Sequence, residues 1–402
     1  MEIALHPSGK CQRAEYYRAE LLFEIGFGPE SREFCNSQVI WERRQPRMNV
    51  SSRSGAMFRN LIVASMIVGV TLIAPAHAQS KLTPEEQRAL FVQLLETANQ
   101  GDANAQFQVA LGWFFGRGVD EIDKIESAYW LKKAADQKHK QAVSRMAWHY
   151  RNGVGVIQNL PLAEKLYKEA YKLGVVGSSI PLAAIYRTGE GTPVEDDGQG
   201  HVKENHTAAV HWARIAADAN IDRGQNILGE LYRDGVGVPQ SFATALEWFE
   251  TAAQQDLALA YYNASTLLRN PDLGFTDMEK GLEYLKRAAD KGHAAAMIDL
   301  ALSYASGTGV QQDYAQALEW YSKAAARNRK SAVKLAKAYE AGVFGEPDPA
   351  RAYKWYYVAQ ESGEVSGIVG RLAMQDKINE PTRVTMESEG QEWIEEQRKN
   401  GR

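Results

Sequence analysis

Cysteine is nearly missing from this chain. Its only two, Cys11 and Cys35, stand near the start of 402 residues, and everything after residue 35 is free of thiols. That excludes a disulfide scaffold, thiolate metal sites, a cysteine nucleophile and a lipid-anchored N-terminal cysteine from the main body of the protein. Other ligand sets are missing as well. His201, His206 and His211 stand near acids but five residues apart, a step that does not place side chains on one helical face. No HExxH or Cys/His finger spacing exists, so no metal and no cofactor are expected. Ser331-x-x-Lys334 lacks the Ser-Asp-Asn and Lys-Thr-Gly elements that accompany such a pair in penicillin-recognising enzymes. The Gly-x-Gly turns are not followed by Lys-Ser/Thr, so they are not phosphate cradles. No catalytic residue is assigned, and the chain reads as a non-enzyme.

An excess of positive charge is also lacking. The chain is net −4, and residues 1–78 hold nine Lys+Arg against seven Asp+Glu, which leaves the remainder at −6. Such a balance argues against general nucleic-acid binding. Long apolar runs are equally scarce: Leu61–Ile73 is the one candidate, at 13 residues too short for a comfortable membrane span. It follows Arg59 and precedes Pro75-Ala76-His77-Ala78, the layout of a secretory signal with cleavage after Ala78. The expected mature chain starts at Gln79, has no stable membrane span and is periplasmic or secreted. Residues 1–47 are then read as an N-terminal extension upstream of the true start (Met48 or Met57), disordered if translated, and 48–78 as the signal peptide.

What the chain does have is a repeat. Around Leu228, Gly229 and Tyr232 a first helix is predicted, followed by the turn Gly235-Val236-Gly237-Val238. A second helix then carries Ala245, Trp248, Phe249, Ala252 and Ala253 in one apolar stripe. The Trp248 position recurs as Trp130, Leu166, Trp212, Trp248, Tyr284, Trp320 and Trp355, in steps of 36, 46, 36, 36, 36 and 35. The first turn glycine recurs as Gly116, Gly153, Gly189, Gly235, Pro271, Gly307 and Gly342, with steps of 37, 36, 46, 36, 36 and 35. Two independent markers with one period indicate a solenoid. The tryptophans Trp130, Trp212, Trp248, Trp320 and Trp355 are expected in the core. Repeat five is irregular at its turn, and about ten extra residues within Pro193–Asn205 account for the long step.

Ala296, Leu300, Tyr304, Gly307, Gly309, Val310, Ala317, Trp320, Tyr321, Lys323, Ala324 and Ala325 closely resemble the Sel1-like repeat, a relative of the tetratricopeptide repeat. The resemblance covers about residues 105–363. It implies an all-α, right-handed superhelical solenoid of stacked helix-turn-helix units, acting as an adaptor or scaffold. The organisation expected is a capping helix in 79–104 opening at Thr83-Pro84, seven repeats in 105–365 with an insertion at 193–205, and capping helices in 366–402.

One surface pattern stands out. Directly after the aromatic position of the first helix stand Arg151, Arg187, Arg233 and Arg269 in repeats two to five. Equivalent positions in a stack lie side by side, so a ladder is expected. By resemblance to tetratricopeptide arrays this position lines the concave groove. Such a ladder suits carboxylates of an acidic protein segment; the alternative is a solvated face whose arginines pair with neighbours such as Asp234 and Glu190. Trp148, one turn before Arg151, is expected on the same groove or packed locally. The partner expected is another protein, in the cell envelope. A cell-wall polysaccharide or peptidoglycan ligand in an export-assembly role is the alternative, and a hydrolase the weakest reading.

Overall fold

The computed structural model describes residues 83–189, 205–328 and 330–400. The extension at 1–47, the signal segment at 48–78 and all but the last residue of the 193–205 insertion lie outside the described residues. Among the described residues are seventeen α-helices and no strand. The described residues fall into two compact units, divided between Trp130 and Leu131.

In the first unit, α1 (Pro84–Asn99) packs on α2 (Ala103–Phe115), and α3 (Lys124–Asp136) begins. Thr83 and Glu86 close a capping box on α1 with Pro84 in its first turn, which satisfies backbone donors the helix itself leaves open. Phe91 meets Trp113 edge-on at 5.5 Å. Gly112 makes this possible, because a Cβ there would come within 2.6 Å of the Phe91 ring.

The second unit contains the rest of α3 and then α4 (Lys140–Asn152), α5 (Leu160–Lys172), α6 (Ser179–Thr188), α7 (His206–Asp218), α8 (Asp222–Asp234) and α9 (Phe242–Gln254). It continues with α10 (Ala258–Leu268), α11 (Met278–Asp290), α12 (Ala294–Ser306), α13 (Tyr314–Arg327), α14 (Lys330–Glu340) and α15 (Pro349–Gln360), and ends with α16 (Val365–Gln375) and α17 (Glu380–Lys399). The even-numbered helices α4 to α14 are first helices and the odd-numbered α5 to α15 second helices. Each first helix packs on its own second helix, and each second helix on the next first helix.

The turns explain why the period is kept. First helices end on left-handed glycines, with φ of +65° at Gly153, +67° at Gly235 and +75° at Gly307, a conformation that costs other L-residues free energy. Pro271 cannot adopt it. Repeat five instead runs through a 3₁₀ turn, Pro271–Leu273, and reaches the left-handed region at Gly274. A second device closes every turn. The residue that N-caps the second helix donates its backbone N–H to the carbonyl of the first helix's aromatic position: Asn159 to Tyr150, Ser241 to Tyr232, Asp277 to Leu268, Asp313 to Tyr304 and Asp348 to Tyr339, each at 2.9 Å. Asn205 makes the same bond to Tyr186 at 3.1 Å. The insertion is therefore bracketed by the closure that its uninterrupted neighbours use, which explains how extra residues are accommodated there without disturbing the repeat.

The core corrects one expectation. Trp130 and Trp355 are buried, but Trp212, Trp248 and Trp320 are only half-buried. The side chains that vanish from solvent are their successors, Ala213, Phe249 and Tyr321, together with Tyr167, Leu285 and Tyr356. The helical wheel gives the reason. The stripe Ala245, Phe249, Ala252, Ala253 centres roughly 85° away from Trp248 at 100° per residue, so the indole sits on the stripe's edge. From that edge an indole can lie against the preceding repeat. Trp212 does this against Tyr171 of α5, ring centroids 5.2 Å apart and nearly perpendicular.

Candidate interaction face of the first helices

The predicted ladder residues all project from the last turn of first helices or just beyond it, and all four arginines are partly buried. Their surroundings differ. Arg187, on α6, donates to Glu230 and, at 2.8 Å, to Asp234, both on α8. Arg233 binds the same Asp234 through Nε at 2.7 Å and Nη2 at 3.2 Å. The hydrogen bond from Arg233, with Arg187 beside it, holds the Asp234 carboxyl below its usual range, and the same pair raises Arg233. Two arginines and two carboxylates thus form one locally neutral clasp between neighbouring first helices. The carboxylates that these two rungs were expected to attract are supplied by the chain itself. Each group keeps roughly a fifth to a third of its side chain exposed, so the clasp contributes on the order of 1 kcal/mol or less per pair.

Glu230 anchors a polar seam below the clasp. The Asn226 amide donates to it at 2.9 Å, and the Asn263 amide on α10 donates to Asn226 at 2.9 Å. Both asparagines are buried, and each bond satisfies a donor that would otherwise be costly to enclose. Arg269 belongs to a different group. Its Nη2 donates to Ser303 on α12 at 3.0 Å, while its Nε is buried with no acceptor. Asp299 lies nearby and accepts from the Tyr262 hydroxyl at 3.1 Å. Burial pushes the Asp299 carboxyl up and the Tyr262 phenol to about 12.

Arg151 and Trp148 sit together on α4. Arg151 lines a shallow open pocket with Asn152, Gln158 and Leu160, and Gln158 donates to its carbonyl at 2.8 Å. Trp148 is 38% exposed. The Arg145 guanidinium stands 5.7 Å from its ring centroid, and burial lowers that guanidinium's pKa. The structure therefore joins Arg187 with Arg233, sets Trp148 against Arg145, and leaves Arg269 with Asp299 and Ser303.

Leu302 was not anticipated. It stands five residues before Gly307, as Trp148 stands five before Gly153 and Glu230 five before Gly235. It is 44% exposed. The face of the first helices thus carries exposed apolar side chains at α4 and α12, with the neutral clasp and the asparagine seam at the helices between. A leucine at a register occupied elsewhere by Glu230 and Lys337 was a usable signal. Among the described residues no group of His, Cys, Asp and Glu is arranged to hold a metal, and no helix is long and apolar enough to cross a membrane.

Comparison with known proteins agrees with this architecture. The family model of the Sel1 repeat matches seven times, at residues 103–139, 140–175, 182–221, 222–257, 257–293, 294–328 and 329–363. An uncharacterized protein of Neisseria meningitidis is 25% identical over 251 residues, 62% of this chain and 49% of that one. The chitin synthase regulator SKT5 of Saccharomyces cerevisiae is 28% identical over 193 residues, 39% of this chain and 28% of that one. The chain thus spans half or less of these relatives. The crystal structure of a Sel1 repeat protein from Oxalobacter formigenes shares the fold, with a TM-score of 0.52 and 21% identity over 60% of this chain and 92% of that one. With the family model covering well over half of its length, this all-α helix-pair solenoid belongs to the Sel1 repeat family.

Proposed function

We propose that the protein is a non-enzymatic scaffold that binds another protein along the face of its first helices. The observation that carries this reading is the pairing of two exposed apolar side chains, Trp148 and Leu302, at one register of the repeat. Large apolar groups held open on rigid helices are what protein recognition uses as anchors. The arginine clasp and the asparagine seam between them are paired within the chain, so this part of the surface is organised before any partner arrives. Membership of a repeat family that includes a regulator of another enzyme supports a binding role over a catalytic one.

The face is tested with Trp148→Ser and Leu302→Ser. Both side chains are partly exposed, so the fold should survive with helical content unchanged and a stability loss of about 1–2 kcal/mol at most for each. Partner recovery from envelope extracts is expected to fall at least tenfold in the double variant. Equal recovery would move the site off this face. Charge reversal by Arg187→Glu and Arg233→Glu is a poorer probe. The new carboxylates would be forced against Glu230 and Asp234 and would disturb packing between α6 and α8 directly.

We further propose that the protein works outside the cytoplasm, in the periplasm or beyond, on the strength of Leu61–Ile73 and the Ala76-His77-Ala78 site. N-terminal sequencing of the protein from its source cell is expected to begin at Gln79. An intact segment upstream of Leu61 in the soluble cytoplasmic fraction would reject export.

A further inference from the structure

The last two helices break the rule that every other pair in the second unit follows. Each first helix from α4 to α14 is packed against the second helix that comes after it, but α17 lies along α15 instead of covering α16. Several contacts fix α17 there. The Trp393 ring meets Trp355 at 5.1 Å, the Tyr353 hydroxyl donates to Glu387 at 2.6 Å, and Lys354 pairs with Glu389 at 2.9 Å. Gly390 is needed for this approach, since a Cβ there would come within 2.8 Å of the Tyr357 ring.

The consequence is an uncovered stripe on α16. Val365, Ile368, Val369 and Leu372 are 70%, 41%, 63% and 54% exposed. Their spacing is i, i+3, i+4, i+7, one face of a helix. The other exposed residues of α16, Ser366 and Ala373, are small, and none of the six carries a charge. Beside this neutral stripe runs an acidic helix. Between Glu380 and Glu396, α17 has six glutamates and one basic residue, Arg383. Glu387 is bound to Arg371 of α16 at 2.9 Å and Arg383 donates to the Gln375 carbonyl at the end of α16, so the first half of α17 meets the flank of α16. Glu387 and Glu389 are engaged within the chain, while Glu380, Glu392, Glu395 and Glu396 are exposed. Val384, one turn from Glu380, is 62% exposed and adds to the apolar surface.

We propose that α16 is a docking site for a single amphipathic helix of another protein, with an apolar face for the stripe and basic residues for the α17 carboxylates. Two arguments choose this occupant over a second copy of the chain. A stripe of four aliphatic side chains offers on the order of a few hundred Å², against about 800 Å² per partner in a stable dimer. Two copies meeting at α16 would also bring two acidic α17 helices toward each other, whereas a basic helix meets opposite charge. A lone helix in a groove needs only anchors at this spacing. This surface is separate from the Trp148–Leu302 face, and neither proposal rests on the other.

The test uses the full-length protein and a labelled 16-residue Leu/Lys amphipathic peptide, with a Leu/Glu peptide of the same pattern as control. Fluorescence anisotropy is expected to give saturable one-to-one binding of the Leu/Lys peptide, and binding of the Leu/Glu peptide at least tenfold weaker. The charge-conserving variant Val369→Ser/Leu372→Ser should weaken the Leu/Lys peptide at least tenfold, with its melting curve unchanged because both side chains start exposed. Binding unaffected by the serines would show the peptide adsorbing on acidic surface generally and would overturn the site. Equal binding of both peptides would overturn the basic character of the occupant. Sedimentation of the unliganded protein as a dimer that the serine variant dissociates would replace the helix by a second copy.

Discussion

Phe249→Ala is expected to lower stability by about 3–5 kcal/mol, among the largest losses for one side chain in the array. Phe249 is fully buried, and its ring fills the space that Gly229 leaves open on the facing helix: a Cβ on Gly229 would stand 2.7 Å from it. Ala245, Ala264 and Leu267 complete the cluster, with Tyr232 and Tyr284 at its border. Small neighbours on rigid helices cannot move in to refill the volume, so the cavity remains. Trp248→Ala removes a larger side chain but a half-buried one, and about 1–2 kcal/mol is expected from its partial burial. Urea unfolding followed by circular dichroism checks the order. A Trp248→Ala loss larger than that of Phe249→Ala would contradict the assignment of the core to the residue after the tryptophan.

Gly237→Ala is the second large effect. Gly237 has φ +72°, and a Cβ there would meet the His206 carbonyl oxygen at 2.4 Å and Val210 at 3.0 Å. The left-handed backbone alone costs an alanine about 1–2 kcal/mol. The overlap with a backbone oxygen at the start of α7 adds to this, because a carbonyl inside a helix cannot swing aside. A total of at least about 3 kcal/mol follows from positive φ plus overpacking. Gly235→Ala is the internal control, since Gly235 shares the φ but has nothing closer than the Gln240 side chain at 3.2 Å. Its loss should stay near the backbone cost alone. In a repeat array such losses act on the interface between neighbours and lower cooperativity there. The Gly237 variant is therefore expected to broaden the unfolding transition as well as shift it. Equal losses at the two glycines would show that the second glycine of the turn has no part in docking consecutive repeats.

These two cases also show what was readable beforehand. The period, the helix pairs and the first turn glycine were legible because each is a local requirement: an apolar stripe at helical spacing, a left-handed C-terminus, a capping side chain. The distinction between Trp248 and Phe249 was legible in principle from the wheel angle, yet a stripe drawn wide enough to include both put the indole in the core. The arginine ladder was legible as a register. Its neutralisation was only partly so, because Asp234 adjoins Arg233 in sequence while Arg187 reaches Glu230 across the insertion. Whether a charge meets solvent or a neighbouring repeat depends on the offset between stacked helices, which one sequence does not state. Asn226 and Asn263 show the same limit, since their pairing is 37 residues apart. The bare stripe on α16 was hidden for another reason. Its four apolar residues have the spacing of an ordinary buried face, and only the course of α17 along α15 leaves them uncovered.

Whether the first-helix face holds a protein partner is decided by photo-cross-linking in the source cell. A photoreactive phenylalanine analogue is placed in turn at Trp148, at Leu302 and, on an exposed position of a second helix, at Glu247. One discrete cross-linked protein shared by the Trp148 and Leu302 positions and missing from Glu247 is expected. Cross-links to the Glu247 position alone, or no protein adduct at either face position while the protein is folded and exported, would contradict a partner on this face.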